Sequence, residues 1–172
     1  MKKKVPSVLA VMITIAFAVS ANAAVWETEF DKASVNAQKS GLYMLLEFSG
    51  SDWCGWCKKI NEEFFSSDVF GKFAKDNLIC VSVDFPRQKK LSKELEEQNT
   101  GLAKQYEIRG YPTIIVLSPE GELVGKTGYS KIEAKTFVEN LKKMIDEHRR
   151  NKSQKKTEEP LMSDKTDEGS GK

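Results

Sequence analysis

Two cysteines in the run Cys54-Gly55-Trp56-Cys57 are the residues of this sequence best suited to chemistry. The C-x-x-C spacing places two thiols one helical turn apart, where they can form and break a disulfide reversibly. Cys54 would lie at the start of a helix, where unpaired amides and the helix dipole favour its thiolate. Cys57 could then attack a mixed disulfide formed on Cys54. The spacing therefore predicts thiol–disulfide exchange, with Cys54 as nucleophile and Cys57 as resolving thiol.

Two other uses of such a cysteine pair are possible. A zinc site needs four ligands, and only Cys80 and His148 remain to complete one. We expect Cys80 to be a small core residue and His148 to be solvated, so no metal site is predicted. A purely structural disulfide is the second alternative, although a bond that closes so short a loop constrains the unfolded chain little. No bound cofactor is expected, because the disulfide itself carries the electrons.

A carboxyl group is expected close to the cysteine pair in the fold. Residues 42–48 form a nearly unbroken apolar run, which is typical of a strand buried on both faces. Glu47 lies in this run and shares one face with Tyr43 and Leu45. If both faces are covered, burial raises the pKa of Glu47 and makes it a candidate proton shuttle for Cys57. The alternative is that Glu47 lies at the strand edge in water.

The surrounding sequence predicts an α/β fold with the element order α-β-α-β-α-β-β-α. Helical spacing or caps predict four helices: residues 26–39, residues 54–65 with a further helical turn or two at 68–75, residues 91–106, and a last helix with a capping box at Ser130 and Glu133. Apolar and β-branched runs predict four strands: residues 42–48, 79–85, 113–117 and 123–127. We therefore expect a mixed central sheet of about four strands with helices on both faces.

Two motifs together resemble the thioredoxin family over about residues 27–148. They are WCGWCK after the strand LYMLLEF, and GYPT before the strand TIIVL. The resemblance implies a thioredoxin-like fold, a cis peptide bond at Tyr111–Pro112, and a loop at Tyr111-Pro112-Thr113 that packs against the cysteines. Because proline cannot donate to a ladder, the peptide edge beside Pro112 could receive an extended substrate strand. The Thr113 hydroxyl is expected to support this loop.

The resemblance also extends to residues around the motif, with three departures. Trp53 matches the family tryptophan and is expected to touch substrate, whereas Trp56 stands where a proline is common. Glu47 falls about where thioredoxins carry a buried aspartate, but the linker at residues 49–52 is one residue longer. About a dozen additional residues also lie between Asp84 and the proline motif. Their expected form is a solvated helix, and a role in partner choice is the alternative.

These features predict an exported thiol–disulfide oxidoreductase that reduces protein disulfides. Reduction is favoured over oxidation because Gly55 is the first intervening residue and because Glu47 is expected to be buried. A disulfide oxidant or isomerase is the alternative within this class, and a client-binding module without turnover is the alternative outside it. The expected partners are protein disulfide substrates and a membrane redox protein as electron donor. We expect the protein to be a monomer.

The two ends of the chain are predicted to lie outside the folded domain at residues 24–148. Residues 1–23 resemble a signal peptide: Lys2–Lys4 are basic, residues 8–19 are apolar, and small residues precede a cut after Ala23. The apolar run is shorter than the roughly 20 residues of a membrane span, and an uncleaved signal anchor is the alternative. The expected location is therefore periplasmic or secreted. Residues 149–172 are nearly devoid of large apolar residues, which predicts a disordered charged tail.

The net charge argues against nucleic-acid binding. The chain has 27 basic and 25 acidic residues, but three of the lysines belong to the predicted signal peptide. Removing these three leaves 24 basic against 25 acidic residues, a net charge of −1. No nucleic-acid partner is therefore expected from bulk charge.

Overall fold

A computed structural model describes residues 24–162, so the predicted signal peptide and residues 163–172 lie outside the described residues. One mixed sheet with the strand order β1-β3-β2-β4-β5 forms its centre. The strands are β1 (Trp26–Glu27), β2 (Tyr43–Ser49), β3 (Leu78–Asp84), β4 (Thr113–Leu117) and β5 (Leu123–Gly128). The central strand β2 runs parallel to β3 and antiparallel to β4. At the edges, β1 is parallel to β3 and β5 is antiparallel to β4.

Helices pack on both faces of the sheet. They are α1 (Phe30–Ser40), α2 (Gly55–Ile60), α3 (Asp68–Asn77), α4 (Lys93–Gln105) and α5 (Ala134–Met162), and α2 continues into a π-helical turn at Asn61–Phe65. On one face Leu45 packs in a core cluster with Phe64 and Leu141. On the other face Leu46 packs with Ala37 and Leu102. The expected α/β architecture is confirmed, and every residue of β2 is buried.

The beginning of the domain differs from the prediction. The helix expected from Trp26 begins at Phe30 instead, because Trp26 and Glu27 form the short strand β1 beside Cys80 and Val81. The sheet therefore has five strands and not about four. A two-residue strand is too short to show an alternating pattern, and its apolar residue fits the helical spacing of the residues that follow it.

The last helix also begins later than its predicted capping box implies. The backbone N–H of Phe137 donates to the carbonyl of Glu133 at 3.0 Å, which is the first turn of α5. Ser130 lies before the helix, where its carbonyl accepts from the N–H of Ile132 at 2.9 Å. Glu133 therefore precedes the helix directly and does not occupy the third position inside it, so the predicted box is wrong.

The helix α5 continues well beyond the predicted end of the domain. The disorder predicted from residue 149 is wrong for residues 149–162, because α5 extends to Met162. Lysine, arginine and glutamate supply seven of the 14 residues in this stretch and are good helix formers. An ion pair of 2.7 Å between Lys152 Nζ and Glu120 Oε1 also ties the helix to the turn before β5.

The prediction that His148 is solvated is wrong. Its Nδ1 lies 3.0 Å from the hydroxyl of Tyr43, and its Nε2 lies 3.3 Å from the carboxylate of Glu122. The side chain is only 19% exposed. His148 therefore joins the middle of α5 to the start of β2, at the end of the sheet away from the C-x-x-C motif.

Within residues 24–162, none of the helices has both the length and the apolar character needed to cross a membrane.

Candidate active site

Cys54 and Cys57 form a disulfide at the point where the central strand leads into a helix. Strand β2 ends at Ser49, and a tight turn follows in which the N–H of Cys54 donates to the carbonyl of Gly50 at 2.8 Å. This turn places Cys54 at the N-cap of α2, so that Cys57 lies inside the first helical turn. Both side chains are almost fully buried, with 6% and 2% of their surfaces exposed.

One backbone amide of α2 lies within hydrogen-bond distance of the sulfur of Cys54. The N–H of Cys57 points at Cys54 Sγ over 3.1 Å. This N–H lies in the first turn of α2, where it also reaches the carbonyl of Cys54 at 3.2 Å, and its position favours negative charge on Cys54 after reduction. The lysines that follow the motif are exposed and engaged elsewhere: Lys58 Nζ donates to the carbonyl of Asp52 at 3.2 Å, and Lys59 pairs with Glu63 at 3.7 Å.

Glu47 is buried in β2 on the face that α2 covers. Only 5% of its surface is exposed, and burial raises its pKa from 4.5 to about 7. A hydrogen bond with Ser49 lowers this pKa and the negative charge of Asp84 raises it, both by less than the burial does. Glu47 also lines a cavity of about 260 Å³ together with Cys57 and Ser82. The alternative of a solvated edge carboxylate is therefore wrong, and the cavity has room for water between Glu47 and Cys57.

The proline loop enters β4 directly beside the central strand. The peptide bond between Tyr111 and Pro112 is cis. The hydroxyl of Thr113 donates to the carbonyl of Gly110 at 2.8 Å, so this side chain supports the loop, as expected. Gly128 pairs with Thr113 in the neighbouring strand, where a Cβ atom would press against the carbonyl of Pro112.

A groove of about 450 Å³ lies between the proline loop and the residue inside the cysteine motif. It is lined by Trp56, Tyr111, Pro112 and Tyr129, among others. Trp56 is 53% exposed and stacks on Tyr129, with 5.3 Å between the ring centroids. The rings and the proline offer apolar surface to a bound polypeptide, and their exposure leaves that surface accessible.

Trp53 connects the cysteine motif to two separate loops. Its ring meets the ring of Tyr111 edge-on, with 5.8 Å between the centroids. Its Nε1–H donates to the carbonyl of Phe85, just after β3, at 2.8 Å. The indole also fills the space in which a side chain at Gly50 would lie. Trp53 therefore fixes the position of the loop that precedes Cys54.

Cys80 lies in the core and is the third, unpaired cysteine. Its side chain is 2% exposed, and burial raises its pKa to about 12, with a further contribution from the charge of Glu47. A thiol with such a high pKa is a poor nucleophile. Cys80 therefore packs in the core, as the sequence predicted. Among residues 24–162, no group of three or more His, Cys, Asp and Glu residues is arranged to hold a metal ion.

The sequence interpretation missed several residues that build the site. Tyr129 supports Trp56, and Asp52 holds the loop after β3 through backbone amides of residues 87–89. Asp84 accepts hydrogen bonds from the N–H and hydroxyl of Ser51 at 2.8 and 2.6 Å. These partners are far apart in the sequence, so local patterns do not reveal their contacts. Asp52 is the exception in part, because its position next to Trp53 places it beside a residue that the sequence had assigned to the site.

Comparisons with known proteins agree with this geometry. The model of the "Thioredoxin-like domain" family matches residues 30–145. The disulfide bond reductase DsbH of Chlamydia pneumoniae is 29% identical over 120 residues, which cover 70% of this chain and 72% of DsbH. The thioredoxin-related protein DsbJ of the same organism is 31% identical over 104 residues, or 60% of this chain and 30% of DsbJ. A maize protein disulfide-isomerase is 30% identical over 103 residues, which span only 18% of its length.

Solved structures show the same fold. The structure of a DsbH oxidoreductase superposes with a TM-score of 0.68 at 29% identity, covering 72% of this chain and 88% of that one. A thioredoxin from Thermus thermophilus superposes with a TM-score of 0.55 at 18% identity, covering 72% of this chain and 88% of that one, which bears on the fold alone.

The fold and the paired cysteines define a thiol–disulfide oxidoreductase. The chain belongs to the thioredoxin-like family.

Proposed function

We propose that this chain is an exported reductase of polypeptide disulfides. One observation carries the proposal: the Cys54–Cys57 disulfide lies at the start of α2, and Trp56 between them opens onto the groove that Pro112 lines. A redox pair beside an accessible apolar groove fits a large disulfide-bonded substrate better than a small soluble thiol.

In the reduced protein, the thiolate of Cys54 attacks one sulfur of the substrate disulfide. That bond breaks, a mixed disulfide with Cys54 forms, and the other substrate sulfur leaves as a thiolate that takes up a proton. Cys57 then loses its proton and attacks Cys54 Sγ, which restores the Cys54–Cys57 disulfide and releases the second substrate thiol. Two electrons pass from the cysteine pair to the substrate.

Glu47 is the proposed acceptor of the Cys57 proton. It lines the same cavity as Cys57, so a water molecule there could carry the proton between them. A pKa of about 7 suits this role, because a group with this pKa can both accept and return a proton near neutral pH. The suitable pKa is a consequence of burial, since the carboxylate of an exposed glutamate is too weak a base for this role.

The substrate is proposed to lie along the groove next to the proline loop. Pro112 has no N–H, so the edge of its loop can accept an extended segment without a competing donor. Trp53 precedes Cys54 and Trp56 lies between the two cysteines, while Tyr111 lines the groove beside Pro112. Thr113 acts on the loop through its hydrogen bond and does not touch the reacting atoms.

Reduction is the proposed direction for two reasons. DsbH, which shares 29% identity over 70% of this chain, is a disulfide bond reductase by name. In addition, the raised pKa of Glu47 favours removal of the Cys57 proton, which is the step that a dithiol reductant needs. The oxidised pair must then be reduced again by a dithiol donor, for which we propose a membrane redox protein.

Export is proposed from the sequence of residues 1–23. Mass spectrometry of the protein purified from its own cell envelope should give an N-terminus at Ala24, and a retained leader would contradict the cleavage. The same preparation should sediment as a monomer. A dimer in that measurement would contradict the proposed monomeric state without touching the redox chemistry.

The mechanism is tested with cysteine variants in a disulfide-reduction assay on a folded polypeptide. Cys54→Ser should abolish reduction, because no nucleophile remains. Cys57→Ser should accumulate a mixed disulfide with the substrate, visible as a band that dithiothreitol removes. Cys80→Ala is the matched control, because it removes a thiol that is buried and unpaired. Retained turnover in Cys54→Ser would contradict the assigned roles.

The direction is tested by equilibrating the protein in graded dithiol/disulfide buffers. A potential near the thioredoxin value of about −270 mV supports a reductase. A potential above roughly −180 mV would favour an oxidant or isomerase instead. If no reversible couple is found, the chain acts as a client-binding module and the reductase proposal fails.

A further inference from the structure

The segment between β3 and α4 forms a cavity that the proposed mechanism does not use. This cavity of about 530 Å³ is lined by residues of the segment itself and by the first turns of α4. Three exposed cations lie in the segment: Arg87, Lys89 and Lys90. None of them forms an ion pair with any residue in the described range 24–162.

The carboxylate of Asp52 helps to hold this basic segment against the redox site. Asp52 accepts backbone hydrogen bonds from Arg87 at 3.0 Å, from Gln88 at 2.7 Å and from Lys89 at 3.4 Å. These bonds hold the pKa of Asp52 below its usual range, so the carboxylate is ionised and keeps the bonds at neutral pH. Since Asp52 lies two residues before Cys54, the segment is fixed directly beside the nucleophile.

The position of Arg87 brings positive charge close to the cysteine pair. Its guanidinium lies over the ring of Trp53, 4.0 Å from the centroid. The same indole donates to the carbonyl of Phe85. The Trp53 ring is fixed by this hydrogen bond, and the backbone of Arg87 is fixed by its hydrogen bond to Asp52. A cation stacked on an aromatic ring is partly desolvated and keeps its N–H donors available at the ring edge.

Two acidic side chains line the cavity together with the three cations, and neither forms an ion pair with them in residues 24–162. The carboxylate of Asp84 accepts hydrogen bonds from the N–H and hydroxyl of Ser51, and Glu96 is exposed to solvent. The carboxylate of Asp52 is not part of the lining and faces the backbone amides of residues 87–89. The lining therefore carries three positive charges against two negative charges, a net charge of +1, on a chain whose predicted exported form has a net charge of −1.

We propose that this basic cavity binds an acidic segment of the disulfide-bonded polypeptide substrate. The inference rests on the proposed reductase function and adds a substrate class to it: disulfides with Asp or Glu close to the cysteine in sequence. Arg87 and the two lysines supply charge-assisted hydrogen bonds to carboxylates, while the apolar groove at Trp56 holds the neighbouring part of the substrate.

The test compares two cyclic disulfide peptides that differ only in charge. One carries Glu at the positions next to its cysteines, and the other carries Gln at the same positions. Each is mixed with an excess of reduced full-length protein, and peptide thiols are counted after acid quenching and alkylation. At low salt we expect the Glu peptide to be reduced roughly 10-fold faster, with the ratio falling to about 2 in roughly 0.5 M salt.

Two variants assign this preference to the cavity. R87Q/K89Q/K90Q should bring the ratio of the two rates to about 1. K89Q/K90Q leaves the stacking of Arg87 on Trp53 in place and should lower the ratio of the two rates to about 3. This variant separates the effect of the lost charges from the effect of a displaced Trp53 indole. The matched control K39Q/K75Q/R150Q removes the same number of charges from exposed positions elsewhere and should keep the wild-type ratio.

The outcomes distinguish this inference from the function on which it rests. If the wild-type protein reduces both peptides at equal rates, the acidic preference is refuted and the reductase function stands. Equal loss of preference in the cavity variants and in the matched control would also refute it, because bulk charge would then explain the result. If neither peptide is reduced at all, it is the proposed function that fails.

Discussion

Replacing Glu47 by glutamine tests whether a buried carboxyl group titrates beside the redox pair. The pKa of Glu47 is raised from 4.5 to about 7, mainly by burial. A folded-state pKa above the unfolded value means that the folded protein binds the proton more tightly. The contribution of Glu47 to stability is therefore fully present below pH 4.5 and is lost as the pH rises through about 7. The shift corresponds to about 3 kcal/mol of unfolding free energy between these limits.

The assay is denaturant unfolding of the oxidised protein at a series of pH values from about 4 to about 8.5. Wild type should lose about 3 kcal/mol more than E47Q over this range, because all other titrating groups are shared and cancel in the difference. The matched control is E62Q, which changes an exposed glutamate that lines the same cavity and should follow the wild-type curve. Parallel curves for wild type and E47Q would refute the assignment of a buried, raised carboxyl.

The same variant separates catalysis from stability. Resolution of a mixed disulfide by Cys57 should rise with pH around 7 in wild type, as Glu47 becomes able to accept the proton. In E47Q this rise should disappear and the rate near pH 7 should fall about 100-fold, which is typical of a lost general base. The measurement is the decay of a preformed mixed disulfide on Cys54. An unchanged pH profile would leave Glu47 as a core residue without a role in proton transfer.

Three further predictions concern packing at the site and elsewhere in the domain. Gly50→Ala should destabilise the protein by about 1–3 kcal/mol and shift the fluorescence of Trp53, because the new Cβ overlaps the indole; unchanged fluorescence would contradict the packing described. Cys80 should resist alkylation in the reduced native protein at about pH 8 while the other two thiols react, since burial raises the pKa of Cys80 to about 12. Rapid labelling of all three thiols would refute the assignment of Cys80 as an unreactive core residue. His148→Ala should lower the free energy of unfolding by about 1 kcal/mol, because it removes the contact with Tyr43. It should also speed hydrogen exchange of the backbone amides in α5 after residue 148. Unaltered exchange would mean that other contacts hold this part of α5.

The sequence predicted the chemistry of the site better than its surroundings. Cys54, Cys57 and Pro112 belong to short motifs, and the apolar run around Glu47 correctly indicated that its carboxyl group is buried. These signals are local, because each depends on residues within a few positions. They also placed β4 correctly at residues 113–117.

The errors arose where distant contacts decide the local structure. Trp26–Glu27 forms a strand only because β3 offers an edge beside it. The charged stretch after residue 149 is helical and is anchored in part by Lys152 and Glu120, which are far apart in the sequence. Composition alone predicted a tail, since such a stretch buries little apolar surface. The hydrogen bonds from the segment after β3 to Asp52 are of the same long-range kind.

Residues from the start of the described chain and from the middle of α5 lie at one end of the sheet, and this arrangement bears on how the molecule would face a surface. Trp26 pairs with Cys80 near the start of β3, and His148 contacts Tyr43 at the start of β2. Both lie at the end of the sheet opposite to the loop that carries Cys54. A molecule held to a surface through this end of the sheet would therefore point its redox pair away from the surface, toward freely diffusing clients. An electron donor fixed in that same surface would meet the redox pair only after the molecule had rotated to bring Cys54 toward the surface.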